Sequence, residues 1–166
     1  MQDRLPEYID PFSLAEREKS FAGKMPLVAM LRLGESLVEK TGDVYYELNF
    51  LKEDKAFVIQ GRVSANLKLE CQVCCDPMDF QVNSSFSLAA VSSLDEALLL
   101  QDCYEPLLVE ERKAPAKEIV EEELLLALPI ISKHSGCRIE PELSNGIEET
   151  DNPFSVLADF KFTGEN

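Results

Sequence analysis

Strict alternation of apolar and polar side chains marks the middle of the chain, between residues 44 and 88. The first run, residues 44–50, has its apolar side chains at even positions, and the second, residues 57–71, has them at odd positions. A third run is apolar at Met78, Phe80, Val82, Phe86 and Leu88. Because successive side chains of a strand point to opposite faces, the pattern predicts an antiparallel meander with one wet face.

Turn signals separate the three runs at residues 52–54 and at Asp76-Pro77. The second run is long for one strand, since most strands have about five or six residues. Gly61 lies within it, and glycine inside a strand often marks a bend. The sequence therefore predicts a bend or bulge at Gly61.

Two helices are predicted before the strands. Asp10-Pro11 suits the N-cap and first position of a helix that runs to about Ser20, with Gly23 ending it. A second short helix is predicted from Pro26 through Arg32, with Gly34 closing it.

The strands are followed by an edge strand and a stronger helix. The edge strand is predicted over residues 104–109. Pro106 excludes a central strand, because proline has no N–H to donate to a neighbouring strand. The helix begins at Pro115 and is stopped by Pro129. Its predicted apolar face comprises Ala116, Ile119, Val120, Leu124, Leu126 and Ala127, and its polar positions are Lys117, Glu118, Glu121 and Glu122. Glu123 falls inside the apolar arc, which favours a Lys, Arg or backbone partner, and Leu125 lies opposite and is predicted to be exposed.

The C-terminal part is acidic and polar over residues 140–151, which predicts a linker. Asn152-Pro153 then starts a short helix with apolar anchors, which must dock on its own domain or on a partner because it is too short to be stable alone. The predicted fold class is α+β. A meander packed against a few helices forms one domain over residues 1–139, and residues 140–166 form the linker and docking helix.

The net charge of −15 is distributed unevenly along the chain. Residues 1–70 hold 10 Lys and Arg against 12 Asp and Glu, whereas residues 71–166 hold 6 against 19. Such an acidic half repels phosphate, which excludes a free-standing nucleic-acid binder. The acidic half indicates either that the charge only keeps the protein soluble or that this surface binds a basic partner. No apolar run approaches the roughly 20 residues that cross a bilayer, and the N-terminus lacks a secretory layout, so a cytoplasmic location is predicted.

Three of the five cysteines lie within residues 71–75, at the turn between the second and third strands. Cys71 and Cys74, together with His134 and Cys137, form a candidate tetrahedral zinc site. Alternatively, Cys71 is a core residue while Cys74 and Cys75 remain reduced in the turn. Thiol redox catalysis is disfavoured, because the flanking carboxylates of Glu70 and Asp76 raise the pKa of the thiols. A helix N-terminus, which would lower this pKa, is not predicted beside the pair.

Five segments together resemble a known family: residues 69–74, 104–106 and 121–129, His134 with Cys137, and residues 152–157. In this order they resemble the YceD family of bacterial large ribosomal RNA subunit accumulation proteins, over roughly residues 5–161. The resemblance implies a role in the synthesis, processing or stability of 23S rRNA, without an assigned reaction. Val73 and Cys75 depart from the Arg and the Leu or Gly that the family often has, so an RNA contact through an Arg is not expected at this turn.

The leading hypothesis is a non-enzymatic maturation factor for the large ribosomal subunit. Its acidic half would bind a basic ribosomal protein or assembly factor, with at most weak or indirect contact with pre-rRNA, and no membrane is involved. The alternative is a metal- or thiol-dependent enzyme of RNA metabolism, for which Glu123 is the candidate base.

Overall fold

The computed structural model describes residues 5–138, which form an α+β domain. In chain order the elements are β1 (Tyr8–Ile9), α1 (Pro11–Glu16), β2 (Ser20–Pro26), a 3-10 turn (Leu27–Ala29), α2 (Leu31–Gly34), β3 (Asp43–Glu53), β4 (Ala56–Glu70), β5 (Pro77–Val91), α3 (Leu94–Ala97), β6 (Glu105–Leu108), β7 (Ala114–Pro115) and α4 (Ala116–Leu126). The predicted linker and docking helix of residues 140–166 lie outside the described residues.

The main sheet has the strand order β2-β3-β4-β5-β6. Strands β2 to β5 pair antiparallel, which confirms the predicted meander, and β6 lies at the edge as Pro106 requires. Strand β6 pairs parallel to β5, with Leu88 opposite Glu105, so the sheet is mixed. Strands β1 and β7 form a separate two-stranded ladder.

The hydrophobic core lies on the face of the sheet that the alternating pattern predicts. Even positions of β3 and odd positions of β4 are buried together with the apolar side of α4. The largest fully buried side chains include Leu27, Met30, Leu33, Leu48, Phe50, Ile59, Leu67 and Leu124. Within residues 5–138 no helix is long and apolar enough to cross a membrane.

The predicted bulge at Gly61 is wrong. Ladder pairing continues through this residue, with Leu48 opposite it on β3 and Phe86 opposite it on β5. A Cβ atom on Gly61 would lie 2.0 Å from Cζ of Phe86. Glycine therefore stands here because the Phe86 ring occupies the place of a side chain.

The predicted extent of the first helix is also wrong. Asp10 caps α1 as predicted, its carboxylate accepting from the Ser13 N–H at 3.2 Å, but the helix ends at Glu16. Glu18 adopts a φ of 48°, which turns the chain into β2, and Gly23 lies inside that strand. Pairing of β2 with β3 and the edge-on contact of Phe21 with Phe50 outweigh the local helix signal.

The second predicted helix is divided into the 3-10 turn and α2, because Met30 between them is extended. Gly34 lies in the last turn of α2 and does not follow the helix as predicted.

Helix α4 has a second buried flank that its apolar stripe does not predict. Glu121 is buried and Leu126 is exposed, the reverse of the prediction, and Leu125 is half-buried against the core. The cause is α2, which packs beside α4. The Leu33 N–H donates to the Glu121 carboxylate at 3.0 Å, and Arg32 pairs with Glu122. Glu121 thus satisfies a backbone donor in the first turn of α2 that has no partner within the helix.

Candidate metal centre

The turn between β4 and β5 is closed by two backbone hydrogen bonds. The Cys71 N–H donates to the Asp76 carbonyl at 2.9 Å, and the Cys75 N–H donates to the Cys71 carbonyl at 2.8 Å. Cys75 has a φ of 61°, in the left-handed region that favours glycine. The turn therefore holds Cys71 and Cys74 in a fixed relation at the tip of a rigid hairpin.

The segment after α4 brings the second pair of candidate ligands to this turn. The Gln72 N–H donates to the Ser132 carbonyl at 2.8 Å, which joins the two segments. The Cys137 N–H donates to the His134 carbonyl at 3.1 Å, forming a single turn between them. The spacing His-x-x-Cys thus places both side chains beside Cys71 and Cys74.

The four candidate ligand atoms, on Cys71, Cys74, His134 and Cys137, all lie within 4.8 Å of one another. Nδ1 of His134 is 3.4 Å from Sγ of Cys74 and 3.6 Å from Sγ of Cys137. With Zn–S bonds of about 2.3 Å and Zn–N bonds of about 2.0 Å, a tetrahedral zinc separates such atoms by about 3.6 Å. The donor set and its spacing therefore fit a four-coordinate metal ion.

The backbone around Cys71 favours its thiolate. The backbone N–H of Cys74, followed by those of His134 and Val73, lowers the pKa of the Cys71 thiol to about 6, although burial opposes this. Cys71 is fully buried, so a substrate cannot reach its sulfur. A buried thiolate that receives N–H donors is suited to binding a metal and unsuited to nucleophilic attack.

The second knuckle thiol behaves differently because other sulfurs crowd it. The Asp76 N–H lowers the pKa of Cys74, but burial and the sulfurs of Cys71 and Cys137 raise it to about 11. Several thiolates at such short range repel one another unless a cation lies between them. This crowding is a second reason why the cluster suits a divalent ion.

Glu123, the candidate catalytic base, lies apart from the candidate ligand set, which contains no carboxylate. Its side chain is buried, at 6% exposure, as its place in the apolar arc predicts. Among residues 5–138 no hydrogen bond or ion pair joins its carboxylate to a Lys, an Arg or the backbone, so the expected partner stays a prediction. Burial, with the charges of Glu105 and Glu122, raises the pKa of Glu123 to about 7.

Replacing Glu123 by Gln is expected to stabilise the protein at alkaline pH. Because the pKa is about 7 when folded against an ordinary 4.5, stability falls as pH rises through this window. At about 1.4 kcal/mol per pKa unit, the gain from Glu123→Gln above the window is at most about 3.5 kcal/mol. Urea unfolding at about pH 5 and about pH 8 measures it. Glu35→Gln, at an exposed position, is the control, and an equal effect of Glu123→Gln at both pH values contradicts the assignment.

The four cations of the meander, Lys52, Lys55, Arg62 and Lys68, do not converge on one patch. Lys52 lies over the Phe57 ring, and Lys68 is 3.9 Å from Glu39. Arg62 stands opposite Glu47 on the neighbouring strand. Cations that alternate with carboxylates in this way are typical of a solvated face of the sheet.

Sequence reasoning missed two carboxylates with structural roles. Glu121 looked like a solvent-facing position of α4, and only the placement of α2 explains its burial. Glu53 accepts a hydrogen bond from the Tyr104 hydroxyl, which raises the pKa of Tyr104 to about 12. The sequence signal for this contact was the segment Tyr104-Glu-Pro106 alone. Glu53, the partner of the Tyr104 hydroxyl, lies 51 residues away in the chain.

Comparison with known proteins places these features in a family. The family model for "Large ribosomal RNA subunit accumulation protein YceD" matches residues 59–161, which include all four clustered ligands. A Haemophilus influenzae protein of that name is 32% identical over 168 residues, covering 95% of this chain and 97% of the relative. No solved structure matches the chain. The chain therefore belongs to the YceD family, as its combination of motifs predicts.

Proposed function

We propose that this protein is a non-enzymatic factor that supports the accumulation of 23S rRNA through its synthesis, processing or stability. The observation that carries the proposal is the match to a large ribosomal RNA subunit accumulation protein over nearly the whole of both chains. The matched region includes the hairpin tip, α4 and the segment after it. The location that suits this role is the cytoplasm, where bacterial ribosomes are assembled.

Zinc is the metal that best suits the cluster of Cys71, Cys74, His134 and Cys137. Three sulfurs and one imidazole nitrogen are ligands that zinc prefers, and four of them complete its tetrahedral shell. When bound, zinc would supply a cross-link between the β4–β5 turn and the segment after α4. The two segments already share the hydrogen bond from Gln72 to Ser132, so the ion would reinforce an existing contact.

A structural role for the metal is supported by the number of protein ligands. Catalytic zinc sites keep a position open for water or substrate, and four protein ligands leave none. The buried Cys71 sulfur and the absence of a carboxylate from the cluster favour the same conclusion. The rival thiol-dependent enzyme would have to use Cys74, which is exposed and 3.4 Å from the His134 imidazole, because Cys71 is buried. The raised pKa of Cys74 disfavours the thiolate that such an enzyme needs.

The partner is a basic ribosomal protein or assembly factor. The acidic half of the chain, with 6 cations against 19 carboxylates, attracts a basic surface by charge complementarity. The same charge repels a phosphate backbone, so contact with pre-rRNA is weak or passes through the partner. A pull-down enriched in no large-subunit component contradicts this part of the proposal.

Depletion of the protein from its host is expected to lower 23S rRNA relative to 16S rRNA. Northern analysis of total RNA measures the ratio, and re-expression of the wild-type chain is expected to restore it. Re-expression of the Cys75→Ser variant, which alters a cysteine outside the cluster, should restore the ratio of 23S to 16S rRNA as well. An unchanged ratio after depletion contradicts the proposed role.

A further inference from the structure

A cleft of about 970 Å³ lies between α1, the β3–β4 hairpin and the segment of residues 92–104. Its lining includes no residue of the metal cluster. Its floor includes Phe12 and Phe57, whose ring centroids lie 5.2 Å apart in an edge-to-face arrangement. Phe12 is buried, and the Arg112 guanidinium lies over its ring. Ala90 and Val91 also belong to this floor, and both are buried in the core. The cleft is large enough to receive side chains of another molecule.

The most exposed leucines of α3 and its C-terminal end accompany this cleft. Leu94, Leu98 and Leu99 are 72%, 84% and 86% exposed, and Leu99 lines the cleft itself. Helix α3 is held by Ser93, whose hydroxyl accepts from the Glu96 N–H, and it packs against β5 and β6. Adjacent leucines held in water next to an apolar cavity are typical of a surface that another protein covers.

The charged side chains that line the cleft indicate which kind of molecule it can bind. Its lining contains four carboxylates, on Glu16, Glu53, Asp54 and Glu96, against the two cations Lys55 and Arg112. Arg112 is already engaged by Asp10 at 3.0 Å. The lining is therefore acidic, which attracts a cationic segment and repels phosphate.

The acidic lining also disfavours the protein's own chain as occupant. Residues 139–166 carry seven Asp and Glu against one Lys, and a second copy carries the full net charge of −15. Both would bring further negative charge to acidic walls. A basic partner removes this repulsion and can still place an apolar side chain on the exposed Leu98 and Leu99.

We propose that this cleft binds a basic polypeptide segment, which places its cations against the carboxylates of the lining and covers Leu98 and Leu99 with an apolar side chain. The inference rests on the proposed function, since it locates on the molecule the contact with a basic partner. The wall is preorganised, because the Tyr104 hydroxyl donates to Glu53 and joins the segment before β6 to the β3–β4 hairpin.

Site-specific photo-crosslinking of the full chain in its host tests the proposal. The photoreactive residue p-benzoylphenylalanine is placed at Leu98 in one variant and at Ile130, which is 97% exposed, in the control. The expected product at Leu98 is a cross-link to an apolar side chain in a segment rich in Lys and Arg, absent from the Ile130 variant. Cross-links at Leu98 only to residues 139–166, to a second copy, to an acidic protein or to RNA overturn the proposal, as does no cross-link.

A substitution pair measures the contribution of the leucines. Leu98→Ser combined with Leu99→Ser is expected to weaken binding of the cross-linked protein about tenfold or more, because both side chains lose apolar contact. The matched control is Leu126→Ser with Ile130→Ser, which alters exposed apolar residues elsewhere and should leave the affinity unchanged. Equal weakening by both pairs overturns the proposal.

The two hypotheses fail separately. If Ile130 and not Leu98 captures a basic large-subunit protein, the proposed function stands and the cleft is wrong. If Leu98 captures a basic segment while depletion leaves 23S rRNA unchanged, the cleft stands and the proposed function is wrong.

Discussion

Purified protein is expected to carry one zinc ion per chain, and Cys71→Ser is expected to abolish this binding. Structural zinc binds to peptide sites with about 10–16 kcal/mol near pH 7, and loss of a buried thiolate removes one of four ligands. The hydroxyl of Ser is a poor ligand for zinc, so the remaining three residues would hold the ion far more weakly. Elemental analysis of protein purified without added metal measures the stoichiometry.

Cys75→Ser is the matched control for this prediction. Cys75 belongs to the same turn, but its sulfur is not in the cluster, so zinc content should remain at one per chain. Amide hydrogen exchange provides a second readout, because zinc loss should release the N–H groups of Gln72 and Cys137. Wild-type protein without metal, or equal loss in both variants, contradicts the assigned ligand set.

Gly61→Ala is expected to destabilise the fold by about 1–3 kcal/mol, the usual cost of overpacking a core. The added Cβ would lie 2.0 Å from Cζ of Phe86, so the ring or the strand must move. Because β4 lies between β3 and β5, a shift of the strand disturbs both ladders. Denaturant unfolding of the two proteins measures the difference in free energy.

Gly136→Ala is the control, since a Cβ at Gly136 meets no atom within 4 Å and should change stability by less than about 0.5 kcal/mol. Combining Gly61→Ala with Phe86→Leu should cost less than the sum of the two single changes, because the smaller side chain leaves room for the methyl group. Strict additivity of the two changes would show that the Phe86 ring is not the reason for glycine.

The alternating runs predicted β3, β4 and β5 because each strand has one face on the core and one in water. Strand β2 could not be predicted in this way, since only Phe21 is buried and its pairing with residues 43–49 is a long-range contact. The same limit applies to α4. Its apolar stripe predicted the face on the core, but burial of Glu121 depends on where α2 packs.

The residues of the candidate metal centre could be predicted because cysteine and histidine at knuckle spacing carry their own chemical signal. The turn at Cys71 is local, and the structure adds the approach of residues 132–137, which follows from the path of α4 over the sheet. The cleft beside α3 had no such signal. Its aromatic lining combines Phe12 from α1 with Phe57 from β4, which only the tertiary fold brings together.

The proposed zinc site at Cys71, Cys74, His134 and Cys137 is a closed structural one, with four protein ligands and no open position. X-ray absorption at the zinc edge on the purified wild-type chain tests it most directly, because the spectrum reports the number and type of ligands. The expected zinc shell has three sulfur ligands at about 2.3 Å and one nitrogen at about 2.0 Å. A shell in which a water oxygen replaces one of the four protein ligands would reveal an open position and rule out a closed structural site.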